Sequence, residues 1–419
     1  MRAYEEYKES GYDWLGEIPA HWDAVKIREV FTERKSKVSD KDFPPLSVTK
    51  SGIVPQLETA AKSDDGDNRK LVKVGDFVIN GRSDRKGSSG ISSLDGSVSL
   101  INHVLTPRAN VHPRFVHYLL RSNSFIEEFY KNGRGIVADL WTTRYSEMKA
   151  IGLPLPPREE QDAIVRFLDA KCAKIDRLIK LKERQIELLN EKKQNIIDQT
   201  VTKGLDPHAL MKDSGVDWIG EIPEGWEIER CKYLFTETNF RSERGEETHL
   251  SMSQKYGLVP DSMLDERRML SESYAGGKLC SKDDLVLNRL KAHLGVFALA
   301  SQDGVISPDY TVLSIKKEKF LPEYAEAILK SRPCRRELII RVRGIVEGFW
   351  RLYTEDFNTI KLPLPSLEEQ KKIMDFISEL TVATKSKVTI LERNIELIKE
   401  YRQRLISDAV TGKVNILEV

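Results

Sequence analysis

Ser10-Gly11-Tyr12-Asp13-Trp14-Leu15-Gly16-Glu17-Ile18-Pro19 opens the first half of the chain, and Ser214-Gly215-Val216-Asp217-Trp218-Ile219-Gly220-Glu221-Ile222-Pro223 repeats it 204 residues later. Trp22 and Phe31-Thr32-Glu33 return at the same offset as Trp226 and Phe235-Thr236-Glu237. A repeat of this kind decides the architecture before any local reading, because both copies carry the same folding instructions. Further along the offset becomes 209. Arg134-Gly135-Ile136-Val137 with Trp141 returns as Arg343-Gly344-Ile345-Val346 with Trp350, and Leu153-Pro154-Leu155-Pro156 with Glu159-Glu160-Gln161 returns as Leu362-Pro363-Leu364-Pro365 with Glu368-Glu369-Gln370. The drift places loops of unequal length inside a common frame.

Each half has two textures. Residues 12–157 and 214–366 mix short apolar runs, such as Asp76-Phe77-Val78-Ile79 and Asp284-Leu285-Val286-Leu287, with Gly, Pro, Ser and Asp punctuation, which predicts compact α/β (α+β) domains. After each Leu-Pro-Leu-Pro the punctuation vanishes, and two long helices follow. In the first, Leu168, Cys172, Ile175, Ile179, Lys182, Ile186, Leu189, Lys193 and Ile196 keep a 4-3 spacing; the second reads Ile377, Thr381, Thr384, Val388, Leu391, Ile395, Ile398, Arg402 and Leu405. Sustained heptad spacing predicts a coiled-coil seam rather than two unrelated surface helices. The simplest pairing is of one helix with the other, antiparallel and with an approximate two-fold relation between the halves. A helix of about 45 residues is about 67 Å long.

The composition is that of a folded protein whose partners are not chosen by bulk charge. The chain has 419 residues, 40% hydrophobic and 31% charged, with 66 Lys plus Arg against 65 Asp plus Glu. That balance gives no overall attraction to nucleic acid or anionic lipid, so any such binding must come from charges gathered on one face. No apolar run approaches the roughly 20 residues that span a bilayer, and the N-terminus lacks a signal-peptide core, so no membrane association and a cytoplasmic location are expected. Cys172, Cys231, Cys280 and Cys334 are isolated, which implies neither a disulfide framework nor a zinc site.

The paired Asp-Trp-(Leu/Ile)-Gly-Glu-Ile-Pro openings, the Leu-Pro-Leu-Pro…Glu-Glu-Gln lead into each long helix, and the closing Val201-Thr202-Lys203-Gly204 and Val410-Thr411-Gly412-Lys413 resemble the specificity subunit of type I restriction-modification enzymes. The resemblance covers nearly the whole chain. It implies a target-recognition domain over residues 1–157, a helical spacer over 158–203, a linker over 204–213, a second target-recognition domain over 214–366, a second spacer over 367–412 and a tail over 413–419. Each recognition domain would read one half of a bipartite double-stranded DNA target. The coiled coil would set the spacing and dock two methyltransferase subunits, with motor-nuclease subunits joining them. The chain itself would be non-catalytic, with S-adenosylmethionine, ATP and Mg²⁺ held by the partner subunits.

The residues themselves carry no readable catalytic constellation. An Asn/Asp-Pro-Pro-aromatic loop is missing, since Phe43-Pro44-Pro45-Leu46 and Leu155-Pro156-Pro157-Arg158 place no amide or carboxylate before the prolines. Gly276-Gly277-Lys278-Leu279 lacks the first Gly and the Ser/Thr of a phosphate-binding loop. His103, His112 and His117 have no partner pattern that marks a metal site. Base reading needs cationic and amide side chains on loops or strand ends. The candidates in the first half are Lys50, Gln56, Arg69, Lys70, Asn80, Arg82, Arg85, Lys86, Arg134 and Arg144. In the second they are Gln254, Lys255, Arg267, Arg268, Asn288, Arg289, Lys291, Arg343 and Arg351. Asn80-Gly81-Arg82 and Asn288-Arg289 each follow an apolar strand, and Arg82 and Arg289 are expected at comparable strand ends, either reading bases or paired with acids such as Asp84 or Asp284. Trp14, Trp22, Trp218 and Trp226 are expected in the core or against the coiled coil. Two other functions fit part of the pattern: a structural adaptor with two protein-binding heads, or an unrecognised DNA-modifying enzyme.

Overall fold

The computed structural model describes residues 2–58, 66–135, 141–253, 256–264, 274–344 and 350–417, the side chain of His293 apart. The chain forms two compact units, Met1–Glu183 with Glu392–Val419, and Arg184–Leu391. Each is built on an antiparallel four-stranded sheet. In the first unit β1 (Phe31–Glu33), β2 (Phe77–Asn80), β3 (Ser89–Ile91) and β4 (Asn102–Pro107) lie in the order β3-β2-β4-β1. In the second, β5 (Phe235–Thr238), β6 (Leu285–Asn288), β7 (Phe297–Leu299) and β8 (Tyr310–Ile315) lie in the order β5-β8-β6-β7, which is the same topology.

The central strands are apolar at consecutive positions because they are buried on both faces. In the second unit Leu285, Leu287, Leu313 and Ile315 enter the main core with Trp226, Phe235, Phe320, Tyr324 and Phe357. The intervening Val286 and Val312 face a smaller core with Leu250, Leu258, Cys280 and Ile306. The first unit repeats the smaller core with Val78 and Val104 against Leu46, Ile53, Val72 and Val98.

Two long helices follow the two Leu-Pro-Leu-Pro strands: α1 (Arg158–Lys203) and α2 (Leu367–Val410). Each unit takes the first part of one and the last part of the other. Within the first unit they run antiparallel, with Asp176 of α1 accepting a 2.6 Å hydrogen bond from Arg402 of α2. Leu168, Ile175, Ile179, Ile377, Ile395 and Leu405 are buried, and Ile186, Leu189, Ile196, Val388, Leu391 and Ile398 are half-buried, between exposed neighbours. Thr381 departs from the expected seam: it is exposed, and the more apolar Leu380 beside it is half-buried instead. Both helices stop at glycines in the left-handed region, Gly204 (φ 79) and Gly412 (φ 75), a conformation that favours glycine at a helix C-terminus. Gly204 packs on Trp226 and Pro223, and Gly412 packs on Trp22 and Pro19.

The two segments that follow the long helices are held by backbone and side-chain bonds. The expected linker 204–213 ends in a strand, Met211–Asp213, which pairs with Glu221–Pro223 as Tyr7–Glu9 pairs with Glu17–Pro19. The tail after residue 412 is tied down: Lys413 Nζ donates to the carbonyls of Leu15 (3.1 Å) and Glu17 (2.7 Å), and the Asn415 amide donates to Arg2 O at 2.9 Å. Among the described residues no helix is long and apolar enough to cross a membrane. The four cysteines are free thiols; Cys172 is half-buried and the others are buried.

Candidate nucleic-acid interface

The chain leaves β2 through a turn in which Asn80 Oδ1 accepts the Arg82 amide at 3.0 Å. The Tyr130 hydroxyl donates to Asn80 O at 2.9 Å and fixes the base of that turn. A short ladder then forms beyond the strand end. Thr143 N donates to Gly81 O (2.9 Å), Ser83 N to Trp141 O (2.9 Å), and Arg134 and Thr142 exchange both of their amide bonds (3.2 and 3.1 Å). One edge of the first unit thereby carries Arg82, Arg134, Trp141 and Arg144, all exposed. The Ser146 hydroxyl, with Arg134 and Arg144 adding to it, holds the Glu147 carboxyl below the usual carboxylate range. Among the described residues the Arg82 guanidinium has no ion pair or hydrogen bond.

The second unit builds the same ladder. Arg343 and Arg351 exchange both amide bonds (2.9 and 2.8 Å), and Leu352 N donates to Arg289 O at 3.1 Å. Trp350 stands where Trp141 does and is similarly exposed, 40% against 39%. Arg351 and Lys291 are exposed, while Arg343 is ion-paired with Asp356. An exposed indole beside guanidinium groups suits nucleic acid, offering a face for a base or sugar and donors for phosphate or guanine.

Several expected contacts take other places. Arg69 is only 5% exposed; it turns inward, where Nε donates to Ser97 Oγ at 2.8 Å and burial lowers its pKa. Lys70 is half-buried and donates to Asn102 O at 2.8 Å, its pKa also lowered by burial. Both lie in the strand Arg69–Val72, whose pairing on two sides encloses them. Lys86 is paired with Glu127 at 2.6 Å and Arg85 with Asp84 at 3.5 Å. Lys50 lies at the tip of the hairpin of Leu46–Thr49 and Gly52–Pro55, where its carbonyl accepts from Arg121, and Gln56 follows that hairpin half-buried. Gln254, Lys255, Arg267 and Arg268 lie outside the described residues.

Arg289 is not the counterpart of Arg82. Asn288 Oδ1 accepts the Leu290 amide as Asn80 Oδ1 accepts that of Arg82, so Leu290 holds the equivalent place and Arg289 corresponds to Gly81. Its side chain runs inward, with Nε donating to Thr311 Oγ1 at 2.6 Å and Nη2 reaching Glu237 at 3.2 Å. Asp284 is not its partner. Trp22 and Trp226 are fully buried, and Trp14 and Trp218 are half-buried. The aromatic residues the sequence reading passed over are Trp141 and Trp350. Their signal was the Arg-Gly-Ile-Val…Trp repeat itself, which keeps a large aromatic seven residues after an arginine in both halves.

Residues 250–397 match the family model described as the type I restriction modification DNA specificity domain. Over 98% of its length the chain is 24% identical to the MjaX type I restriction enzyme specificity subunit of Methanocaldococcus jannaschii, covering 98% of that protein. The MjaVIII specificity subunit of the same organism is 23% identical, with 98% of this chain and 97% of that protein aligned. A chain solved in work on the assembly and conformational transition of the type I restriction-modification system shares the fold, with a TM-score of 0.63 at 16% identity over 95% of this chain and 99% of that one. With its duplicated sheet-and-ladder units, the chain is thus similar over nearly its whole length to type I restriction enzyme specificity subunits.

Proposed function

We propose that this chain is the sequence-reading subunit of a type I restriction-modification complex, in which each globular domain reads one half of a bipartite duplex target. The carrying observation is the exposed Arg-Trp edge built by the same ladder in both units, Arg82, Arg134, Trp141 and Arg144 in one and Arg343, Trp350 and Arg351 in the other. The long helices, each divided between the units, serve as spacer and as docking surface for two methyltransferase subunits, with motor-nuclease subunits completing the restricting form. Methyl transfer and cleavage belong to those partners, which hold S-adenosylmethionine, ATP and Mg²⁺; this chain positions the DNA for them in the cytoplasm.

The test is the methylated motif in DNA from a host that expresses the full chain with its methyltransferase subunit. A two-part motif separated by unspecified bases is expected, and purified chain alone should show no turnover. Methylation without a defined motif, or turnover by the purified chain that a point change in it abolishes, would overturn the reading. A binding constant to random duplex that is insensitive to salt would favour a protein adaptor instead.

A further inference from the structure

One interior position behind the ladder is filled in opposite ways in the two units. Pairing of β2 with β4 sets Ile79 opposite His103, and pairing of β6 with β8 sets Leu287 opposite Thr311, so His103 and Thr311 are equivalent. Gly81 and Arg289 are equivalent as well, since each carbonyl accepts the matching ladder amide, from Thr143 and Leu352 respectively. The two pairs therefore differ together: glycine with histidine in one unit, arginine with threonine in the other.

Sterics explain the coupling. A Cβ at position 81 would lie 3.0 Å from Thr143 O, 3.1 Å from Ile101 O and 3.2 Å from His103 Nε2, so the imidazole occupies the space a side chain there would enter. That imidazole meets Thr143 O through Nε2 at 2.8 Å. A carbonyl only accepts, so Nε2 carries the proton, and among the described residues the buried Nδ1 has no partner. In the second unit the short Thr311 leaves room, and the Arg289 guanidinium lies between its hydroxyl and Glu237. Glu237 also lies 3.9 Å from Lys278, and Glu33 lies 3.9 Å from Lys70 in the first unit. Acid and lysine are thus common to both units, and only the filling in front of them changes.

We propose that Gly81 with His103, and Arg289 with Thr311, are alternative fillings of one niche that sets which cation each reading edge presents, making His103 a specificity-determining positioning residue. This deepens the half-site reading above and rests on it. His103 holds the carbonyl of Thr143, between Thr142 and Arg144, and the first cation after the strand, Arg82, stands one residue beyond the niche and is exposed. In the second unit the cation is drawn inside, and Leu290 stands at Arg82's place.

The test uses the full chain co-expressed with its methyltransferase subunit, reading methylated motifs. His103→Leu fills the niche without a donor and should lower discrimination at one half-site by about five- to tenfold, the scale of one hydrogen bond. The other half-site, unchanged, reports that the chain is folded. His103→Gln, whose amide N–H reaches as far as Nε2, should restore discrimination. Gly81→Arg alone should abolish reading of the same half, and Gly81→Arg with His103→Thr, which installs the second unit's filling, should recover it in part. A motif unaffected by His103→Leu, equal loss at both halves, or a double variant no better than Gly81→Arg would overturn the proposal. A wild-type complex with no two-part motif would instead refute the half-site reading.

Discussion

His117 illustrates a side chain whose chemistry is structural. Its Nδ1 accepts the Ile91 amide at 3.3 Å, which requires the unprotonated ring. Burial first, then Arg121 and Arg114, push its pKa down to about 4. Folding therefore opposes protonation: the contribution is complete above the ordinary histidine value near 6.5 and is lost progressively as pH falls from there towards about 4. His117→Asn keeps an acceptor at the Nδ1 position and removes the titration. Thermal midpoints measured at pH 7.5 and pH 5 should fall less with acid in the variant than in the wild type; an equal fall would show that His117 does not carry the acid sensitivity. His103 has its pKa lowered by burial as well, so part of the acid loss should persist. The three histidines close in sequence are scattered in the fold, and each holds a different piece of backbone; the third, His112, caps a helix by accepting the Arg114 amide at 3.1 Å. At this scale residue types were legible and orientations were not. Arg82 and Arg289 match by type after an apolar strand, whereas hydrogen-bond register sets them one position apart and turns one of them inward.

Elements were legible wherever a period was sustained. The 4-3 spacing along α1 and α2 coincides with lower exposure at nearly every seam position, because side chains three and four apart share one face. The strand Met211–Asp213 was not legible, since three residues of mixed polarity acquire their pairing only from Glu221–Pro223. The same physics separates two leucines of α1. Leu168 is fully buried, so Leu168→Ala should destabilise the first unit by about 2–5 kcal/mol through lost transfer energy and an unfilled cavity. Leu188 is 48% exposed, and Leu188→Ala should stay within about 0.5 kcal/mol. Denaturant unfolding of the full chain checks both, and equal costs would mean that the heptad does not define the packed face. With the methyltransferase subunit bound, Leu188→Ala acquires a cost only if that exposed face is part of the docking surface.

At the scale of the whole molecule the duplication predicted two similar domains, and the structure adds that each is completed by part of both long helices. On the proposed half-site reading each unit acts by itself: Arg82 belongs to the first and Arg351 to the second, and among the described residues neither guanidinium has an ion pair or hydrogen bond that the other shares. Effects at sites with no common partner add as free energies. Arg82→Ala should relax one half of the methylated motif, and Arg351→Ala the other, each by the roughly 1–3 kcal/mol that a guanidinium–guanine contact contributes to discrimination. The double variant should then show the product of the two fold-changes, with neither half worse than in its own single variant. Arg289→Ala provides the contrast, because its guanidinium bonds Thr311 and Glu237 inside the unit; it should lower the unfolding midpoint and weaken discrimination in the second half only, by emptying the niche, with the first half unchanged. Sequencing the methylated motifs of the four variants decides the matter. Relaxation of both halves by Arg82→Ala alone would mean that the two edges are read as one site, and the independence inferred from the duplicated ladders would fall.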